Sequence, residues 1–480
     1  MPLVKPMAIN DPGLITWGQL ATDELNMTGF WITDPAYGAT GGGSDETTQI
    51  QAAIDAAAAS IFSKRVIVPL GTFKALDLLL SGTTYNNVEI AGFGEGSILA
   101  TPAGTTDNHT LINVQGTTTS ATGNVVGFAL RNLQLRGTSD TDGFVAHRHL
   151  LTMGGVTRPR VEGVLFKGSQ GDGIYVGHIG GNERHNYQVR VTRNVFDGIN
   201  QANRCGTTII DADVATIEGN DYLNYTTTGQ PGPIDIEPNP GFTWAVVRGI
   251  TVRANTFSNC RANTGLISLV LQDAQASYTT PSTNVVIEGN LAAENPNANA
   301  LIFLFQNQTP SASTVPNEVT VRGNQGKTSG RPYEIAGMRL VRLDGNMSRD
   351  AWGAPTLGWL KLCRDIAVSG ETHSLVGGSN GFEVYRVVGL SISDCEFDAA
   401  GSGQVLRFPG TTGDGASTGS SDLVDVVNLR IKGSGPTAVV LKDAGHTVTN
   451  TANNWITASR FNGLSTSGVA NVFGNTANNH

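Results

Sequence analysis

One short pattern recurs along much of this chain and limits the folds that the chain can adopt. Each copy contains an apolar stretch, a bend rich in glycine or asparagine, and an asparagine that closes the phrase V-x-x-(G/N)-N or a close variant. The copies are VTRNVF (191–196), IEGNDY (217–222), VRANTF (252–257), IEGNLA (287–292) and VRGNQG (321–326). Their asparagines follow one another at steps of 26, 35, 35 and 34 residues. Repeats of this length with β-type segments and no helical periodicity indicate a β-solenoid, in which each coil pairs with the next.

A β-sandwich is the alternative, because it also contains short strands with regular turns. The coils here vary in length while the asparagine phrase stays constant. This favours the solenoid, in which insertions become loops on one face. We therefore expect residues 34–457 to form the solenoid, with an N-terminal arm at 1–33 and a C-terminal tail at 458–480.

A single segment near the N-terminus has helical rather than β periodicity. The stretch SDETTQIQAAIDAAAASIF (44–62) places Ile50, Ile54 and Ile61, with two alanines between them, on one helical face. Asp45 is a suitable N-cap residue. The sequence predicts a helix over residues 45–62, followed by an apolar strand in KRVIVPLGTF (64–73).

This region resembles a known family. The run YGATGGGSDETTQIQAAIDAA and the later RVIVPLGTF, within residues 36–73, are similar to the N-terminal signature of the pectate-lyase-like right-handed parallel β-helix superfamily. GDGI (171–174) also resembles the family, whereas Ser44-Asp45-Glu46-Thr47 stands where a double Asp is more usual. The resemblance implies an all-β fold, a right-handed single-stranded parallel β-helix whose open end is covered by the helix. It also implies action on acidic or complex polysaccharides, as in lyases, hydrolases, epimerases and phage tailspikes.

Composition excludes several other classes of protein. The net charge is −9, and no Lys/Arg cluster with interleaved aromatics suggests a nucleic-acid partner. No apolar run approaches the length of a membrane span, and the opening MPLVKPMAINDPG has no signal-peptide core. A virion protein or a cytoplasmic enzyme would both fit. The four cysteines form no CxxC pair, so we expect buried free thiols and neither a metal nor another cofactor.

Four acids in neighbouring segments form the candidate catalytic group. In GPIDIEPNP (232–240), Asp235 and Glu237 alternate with two isoleucines, so a strand would direct both carboxylates to one face. Aligning Asp211 and Asp213 of the preceding IDAD with this pair needs no gap and gives an offset of 24 residues. The alignment predicts that all four lie on one outward face. Like charges so arranged are unfavourable as structure alone, which favours a functional role.

Crowded carboxylates raise one another's pKa, so that one can act as an acid while another acts as a base. We expect an endo-acting polysaccharide depolymerase that hydrolyses glycosidic bonds. Strand neighbours about 6.6 Å apart suit inversion, and rung neighbours about 4.8 Å apart could suit retention. The resemblance favours inversion. A cation site at these acids, a solvated polar face, a lyase or epimerase acting on uronic acids, and a non-catalytic glycan-binding fibre are the alternatives.

Other residues are candidates for binding the polysaccharide. The segments after the acids end in Gln272, Asp273 and Gln306, which would extend the same face with polar groups. Tyr222 and Trp244 are possible platforms for sugar rings, and loop packing is their alternative role. His178 and Arg204 could bind an anionic sugar. The tailspike resemblance further implies a homotrimer.

Overall fold

The computed structural model describes most of the chain from residue 29 onward. The described ranges are 29–105, 108–117, 123–178, 183–201, 203–238, 244–271, 282–295, 297–328, 330–348, 356–376, 380–400, 404–408, 420–427, 429–432, 438–442, 447–449, 456–457 and 460–461. Within them, no helix has the length and apolar character needed to cross a membrane.

The chain winds into a right-handed parallel β-helix, as the repeats and the resemblance predict. A typical coil contains three strands, Thr207–Ile209, Ala212–Glu218 and Asp221–Leu223, separated by bends. Each strand pairs in parallel with the corresponding strands of the coils before and after it. Inward side chains such as Ile209, Ile217 and Ile234 are fully buried in one continuous core. The inward-facing apolar side chains of each strand therefore stabilise the stacking of successive coils.

Equivalent strands of successive coils form three long sheets. Sheet 1 has 13 described strands: Leu78–Ser81, Thr110–Gln115, His149–Gly154, Ile174–Gly177, Thr207–Ile209, Ile234–Ile236, Ile267–Leu271, Ala300–Gln306, Arg331–Ala336, Thr356–Lys361, Asn380–Tyr385, Gln404–Phe408 and Ala438–Lys442.

Sheet 2 follows sheet 1 within each coil. Its 18 described strands are Phe30–Trp31, Arg65–Ile67, Glu89–Ala91, Val125–Val126, Ala129–Arg131, Val156–Thr157, Arg160–Glu162, Tyr187–Thr192, Ala212–Glu218, Val247–Arg253, Thr283–Glu288, Val319–Arg322, Arg339–Asp344, Arg364–Ser369, Val388–Ser393, Ser420–Val427, Thr447–Thr449 and Ile456–Thr457.

Sheet 3 completes each coil. Its 14 described strands are Gly71–Lys74, Ser97–Ala100, Gln134–Arg136, Leu165–Lys167, Val195–Asp197, Asp221–Leu223, Thr256–Ser258, Leu291–Asn295, Gln325–Thr328, Met347–Ser348, Thr372–Val376, Glu396–Ala400, Arg430–Lys432 and Arg460–Phe461. A further pair, Arg261–Ala262 and Asn297–Ala298, joins two loops.

The described strands extend slightly beyond the solenoid boundaries expected from the sequence. Phe30–Trp31 pairs with Val66 and Ile67 in sheet 2, although these two residues fall within the predicted N-terminal arm. At the other end, Arg460–Phe461 pairs in sheet 3 within the predicted tail. Both edges are single short strands, which carry little periodic signal in a sequence.

The repeated asparagines form a ladder at the bend between sheets 2 and 3. The side-chain oxygen of Asn255 accepts hydrogen bonds from the backbone N–H and side-chain N–H of Asn220, at 3.0 and 2.9 Å. The same arrangement joins the buried asparagines at 194, 220, 255, 290, 324 and 346. Glu371 ends the ladder by accepting two hydrogen bonds from Asn346. The ladder satisfies polar groups that the bend would otherwise bury unpaired.

The glycine in the repeated phrase has a conformational cause. Gly219 and Gly289, which precede two of the ladder asparagines, have φ values of 62° and 61°. A residue with a side chain adopts this left-handed region only at some cost, so glycine is favoured there. The recurring G-N dipeptide thus reflects one bend repeated coil after coil.

One helix packs against the first coils, and its bounds differ from those expected. The helix runs over Thr47–Ala59, and its buried face includes Ile50 and Ile54. Glu46 rather than Asp45 occupies the N-cap position, while the Asp45 carboxylate accepts the Thr47 N–H at 3.0 Å. Ile61 lies beyond the helix and is 88% exposed, so its predicted place on the apolar face is wrong. Two shorter helical segments are Thr83–Tyr85, a 3-10 turn, and Ser139–Asp142.

The four cysteines are free and buried, as the sequence predicts. Cys205 and Cys260 lie close to the middle coils of the solenoid, and burial raises the pKa of both thiols. They serve as small apolar side chains in the core.

Candidate active site

Asp235 belongs to a row of outward side chains on sheet 1. Ile234 and Ile236 point into the core, so alternation along the strand directs Asp235 to the outer side. It faces Thr208 on the preceding strand and Ser268 on the following one. We call the register-matched residues Tyr175, Thr208, Asp235, Ser268, Phe303, Glu334 and Trp359 the outer row of sheet 1.

The Asp235 carboxyl group is buried without a hydrogen-bond partner among the described residues. The residue is 0% exposed although it points away from the core, and neither carboxylate oxygen accepts a hydrogen bond. Buried polar groups are nearly always paired, because an unpaired one has lost its hydration without compensation. A buried, unpartnered carboxyl group therefore indicates a functional rather than a structural position.

Arg204 and Asp172 form an ion pair beside this carboxyl group. Arg204 Nη1 donates to Asp172 Oδ2 at 2.9 Å, and Arg204 Nη2 lies 3.9 Å from Asp235 Oδ2. The other Asp172 oxygen accepts the backbone N–H of Cys205 at 3.2 Å. Asp172 raises the pKa of Arg204, so the guanidinium is a fixed positive charge. It is mainly neutralised by Asp172, with a weaker attraction to Asp235.

Two aromatic rings border the ion pair. His149 Nδ1 accepts the backbone N–H of Asp172 at 3.1 Å, and its ring stacks on Tyr175 with centroids 4.8 Å apart. Burial lowers the pKa of His149, which keeps the ring neutral and consistent with that acceptor role. Burial also raises the pKa of Tyr175.

The two acids of the IDIE segment differ in environment. Burial, reinforced by the Glu237 charge and opposed by Arg204, raises the pKa of Asp235 to about 8. Glu237 is only partly buried, and desolvation raises its pKa while Arg204 lowers it. Two acids two residues apart with different burial can hold different protonation states. The pair can thus provide one proton donor and one proton acceptor.

The predicted alignment of Asp211 with Asp235 is wrong. Asp235 faces Thr208 across the strands, three residues before Asp211 in the chain. Asp211 instead occupies the bend after Thr207–Ile209, is 0% exposed, and accepts from His185 Nδ1 and the N–H groups of Asn186 and Val246 at 2.8–3.1 Å. These contacts give it a structural role in closing the bend.

The four acids accordingly do not share a face. Asp213 lies on sheet 2, where it pairs with Arg248 in register and accepts from Arg248 Nε at 3.0 Å. The gapless alignment fails because Thr207 fills the inward position that Ile234 fills one coil later. Its hydroxyl is paired with the Tyr222 hydroxyl at 2.9 Å inside the core.

Several residues expected to bind the polysaccharide lie elsewhere. Tyr222 is 0% exposed in a stack of core rings, 4.8 Å from Phe196 and 5.2 Å from Phe257, so its predicted role as a sugar platform is wrong. Gln306 is 2% exposed, and its side-chain oxygen accepts from Asn317 Nδ2 at 3.0 Å. Gln272 and Asp273 lie outside the described residues.

His178 and Trp244 belong to a second group, at the bend between sheets 1 and 2. The Trp244 ring makes edge contacts with His178 and His185, at centroid distances of 5.8 and 5.7 Å. The nearest acid of this group is Asp211, whose hydrogen bond to His185 raises the pKa of that imidazole. Burial lowers the pKa of His178. Of the predicted binding residues with described positions, only Arg204 adjoins Asp235.

Three residues near Asp235 are not predicted as site residues by the sequence patterns. Asp172 lies within the GDGI segment, while Tyr175 and Phe303 occupy the middle of the apolar triplets IYV and IFL. The available signal is the central residue of each such triplet, because alternation directs it outward on sheet 1. Among the described residues, no group of three or more His, Cys, Asp or Glu side chains is arranged to hold a metal ion.

Comparison with known proteins gives structural matches only. No protein-family profile matches the chain, and no curated protein sequence matches it. The tailspike protein gp49 from Pseudomonas phage LKA1 superposes with a TM-score of 0.57 at 13% identity, covering 87% of this chain and 83% of that one. The N-terminal fragment of bacteriophage phi29 gene product 12 gives 0.64 at 15% identity, with 93% and 74% covered.

A third match is the catalytic unit of a GH87 alpha-1,3-glucanase from Streptomyces thermodiastaticus. Its TM-score is 0.52 at 15% identity, and the match covers 90% of this chain and 68% of that one. At identities this low, the superpositions establish a common fold only. With these proteins, the chain shares the architecture of a right-handed parallel β-helix protein.

Proposed function

We propose that the protein acts on a polysaccharide and hydrolyses its glycosidic bonds on the outer face of sheet 1. The observation that carries this proposal is the carboxyl group of Asp235, which is buried, lacks a hydrogen-bond partner among the described residues, and has a pKa raised to about 8. Such a group is protonated at neutral pH, as a general acid must be. The fold is shared with an alpha-1,3-glucanase and with phage tailspike proteins, which agrees with a polysaccharide as substrate.

In the proposed reaction, the bound glycan displaces the side chains that cover Asp235, which is 0% exposed in the free protein, and Asp235 donates its proton to the oxygen of the scissile glycosidic bond. Glu237, which is the less buried of the two acids, acts as the base and accepts a proton from the attacking water. The bond between the anomeric carbon and the leaving oxygen breaks as the water oxygen attacks that carbon. Arg204, whose guanidinium lies 3.9 Å from the Asp235 carboxyl group, moderates the rise in the pKa of Asp235 that burial and the Glu237 charge cause.

The spacing of the two acids favours inversion of configuration. Same-face neighbours on a strand are about 6.6 Å apart, which matches the separation of roughly 6.5–9.5 Å that leaves room for a water. Asp211 and Asp213 take no part in this scheme, since one closes a bend and the other pairs with Arg248 on sheet 2.

A lyase or epimerase acting on uronic acids is the second candidate. The observation in its favour is Arg204, a fixed positive charge next to the acids that could neutralise a sugar carboxylate. Glu237 would then remove the C5 proton. Elimination leaves a conjugated double bond that absorbs ultraviolet light, and epimerisation leaves chain length unchanged. Hydrolysis does neither.

The deciding experiment measures reducing ends and ultraviolet absorbance over a panel of purified polysaccharides. We expect reducing ends without new absorbance for at least one of them. Asp235→Asn and Glu237→Gln should each lower that turnover at least about a hundredfold, the scale of losing a general acid or base. Asp213→Asn is the matched control, since it removes one half-buried, paired carboxylate on another sheet, and it should keep activity.

The outcomes separate the candidates. New absorbance indicates a lyase. Binding of a glycan with no reducing ends over long incubation indicates a non-catalytic fibre. Near-normal turnover in both amide variants would reject the catalytic assignment of Asp235 and Glu237. Melting temperatures no lower than that of the wild type would show that any loss of turnover in these variants is chemical.

A further inference from the structure

A groove of about 510 Å³ lies on the outer face of sheet 2, a different face from the outer row of sheet 1. Its lining consists only of arginine, glutamate and threonine side chains. Five of them are arginines: Arg131, Arg160, Arg190, Arg193 and Arg253. This concentration of positive charge occurs in a chain whose net charge is −9.

The two glutamates of the groove neutralise only part of this charge. Glu162 pairs with Arg131 at 3.6 Å and also contacts Arg193, and Glu218 pairs with Arg253 at 2.9 Å. Arg160 and Arg190 make no ion pair with any described residue. Both are exposed, so their guanidinium groups are accessible.

Arg160 and Arg190 also face each other directly. They are register partners on neighbouring parallel strands, roughly 4.8 Å apart along the axis of the solenoid. Like charges on facing strand positions destabilise a sheet. A bound anion would convert this repulsion into two charge-assisted hydrogen bonds, for which the planar guanidinium is well suited.

We propose that this groove binds an anionic polysaccharide, with Arg160 and Arg190 each holding an acidic group of the glycan. The rung spacing is close to the length of one sugar residue, so a chain with one carboxylate per residue matches successive arginines. A protein partner fits poorly, because the lining has no apolar side chain to form the core of an interface. Nucleic acid fits poorly as well, since the lining has no aromatic ring on which bases could stack.

This inference draws on the proposed function only for the choice of a polysaccharide rather than another polyanion. Its test measures binding without turnover, so it is independent of whether Asp235 is catalytic. Full-length protein is titrated at low ionic strength with polygalacturonate, neutral dextran and single-stranded DNA, and the titrations are repeated with added salt. The variant is the double substitution Arg160→Gln and Arg190→Gln.

Arg322→Gln combined with Arg342→Gln is the matched control. It removes the same charge from the same face of sheet 2, outside the groove. We expect salt-sensitive binding of polygalacturonate by the wild type and the control. We expect about tenfold weaker binding by the groove variant, corresponding to the loss of charge-assisted contacts. Its melting temperature should stay equal or rise, because the facing charges are gone.

Any of four results would overturn the inference. These are no polygalacturonate binding by the wild type, equal binding of dextran, equally weakened binding in the control, and binding of single-stranded DNA as tight as that of polygalacturonate. The last would identify a groove for polyanions in general. Loss of polygalacturonate binding in the groove variant, with turnover on another glycan intact, would leave the proposed function unaffected.

Discussion

The buried carboxyl group of Asp235 makes the stability of the protein depend on pH. Its pKa of about 8 in the folded chain exceeds the ordinary value of 3.8. Below about pH 4 the group is protonated in both states. As pH rises, the unfolded chain releases the proton first, so folding becomes less favourable until the folded group also ionises. The stability of the wild type should therefore fall relative to Asp235→Asn between about pH 4 and 8.

Thermal unfolding of both proteins across that range measures this difference. A difference that stays constant with pH would contradict the raised pKa of Asp235. The same group predicts that kcat/KM for hydrolysis decreases above about pH 8, where the general acid has lost its proton. An unchanged rate at higher pH would assign the proton donor to another residue.

Tyr222 provides a test of its position in the core. The change Tyr222→Phe removes the partner of the buried Thr207 hydroxyl, at a cost of about 1 kcal/mol of unfolding free energy. Turnover should be unchanged, because the ring is 0% exposed. Denaturant unfolding and an activity assay measure the two effects. A large loss of activity at unchanged stability would indicate instead that Tyr222 contributes to the active site.

The sequence predicts the orientation of Asp235 but not its neighbours. Alternation with Ile234 and Ile236 is enough to direct the carboxyl group outward. The register with the preceding coil depends on Thr207 occupying an inward position. Because threonine is polar, the sequence pattern does not mark this position as inward, as isoleucine does one coil later. Burial of Asp235 depends on side chains distant in the chain, among them Arg204, and no local pattern encodes that contact.

The asparagine ladder is the element that joins coils at the bend between sheets 2 and 3. In its middle, Asn255 donates to Ile217 O and Asn290 Oδ1 and accepts twice from Asn220. Asn255→Ala leaves several of these groups buried and unpaired, so the unfolding free energy should fall by at least about 2 kcal/mol. Denaturant unfolding measures the change, with the exposed Asn307→Ala as the control. Equal unfolding free energies of the two variants would contradict a stabilising role of the asparagine ladder.

At the scale of elements, repeated features are predictable and terminal ones are not. The spacing of the asparagines predicts the solenoid because every coil repeats the same bend. The predicted helix is too long at its C-terminal end because the apolar spacing continues to Ile61. Ser60 is already extended, and its backbone N–H bonds to Ala56 and Ala57 end the helix. The backbone thus leaves the helix at Ser60, before the apolar spacing ends.

The assembled molecule is expected to be a homotrimer, on the basis of the tailspike resemblance. Near its N-terminal end, Ile61, Phe62, Leu70 and Phe93 are each at least 60% exposed. Exposed apolar side chains of this size are suited to contacts between subunits. Light scattering at micromolar concentration should give three times the chain mass of 50.3 kDa. A particle of the single-chain mass would reject the trimer.

The outer row of sheet 1 also determines which products a hydrolase of this form would release. Tyr175 and Trp359 are six rungs apart, about 29 Å along the axis, and Asp235 lies two rungs from one end and four from the other. A linear glycan that spans the row, after displacing the cover over the fully buried Thr208, Asp235 and Ser268, has sugars on both sides of the reacting bond. Such a hydrolase would therefore release oligosaccharides rather than single sugars, and a substrate shorter than the row would lose part of its binding energy.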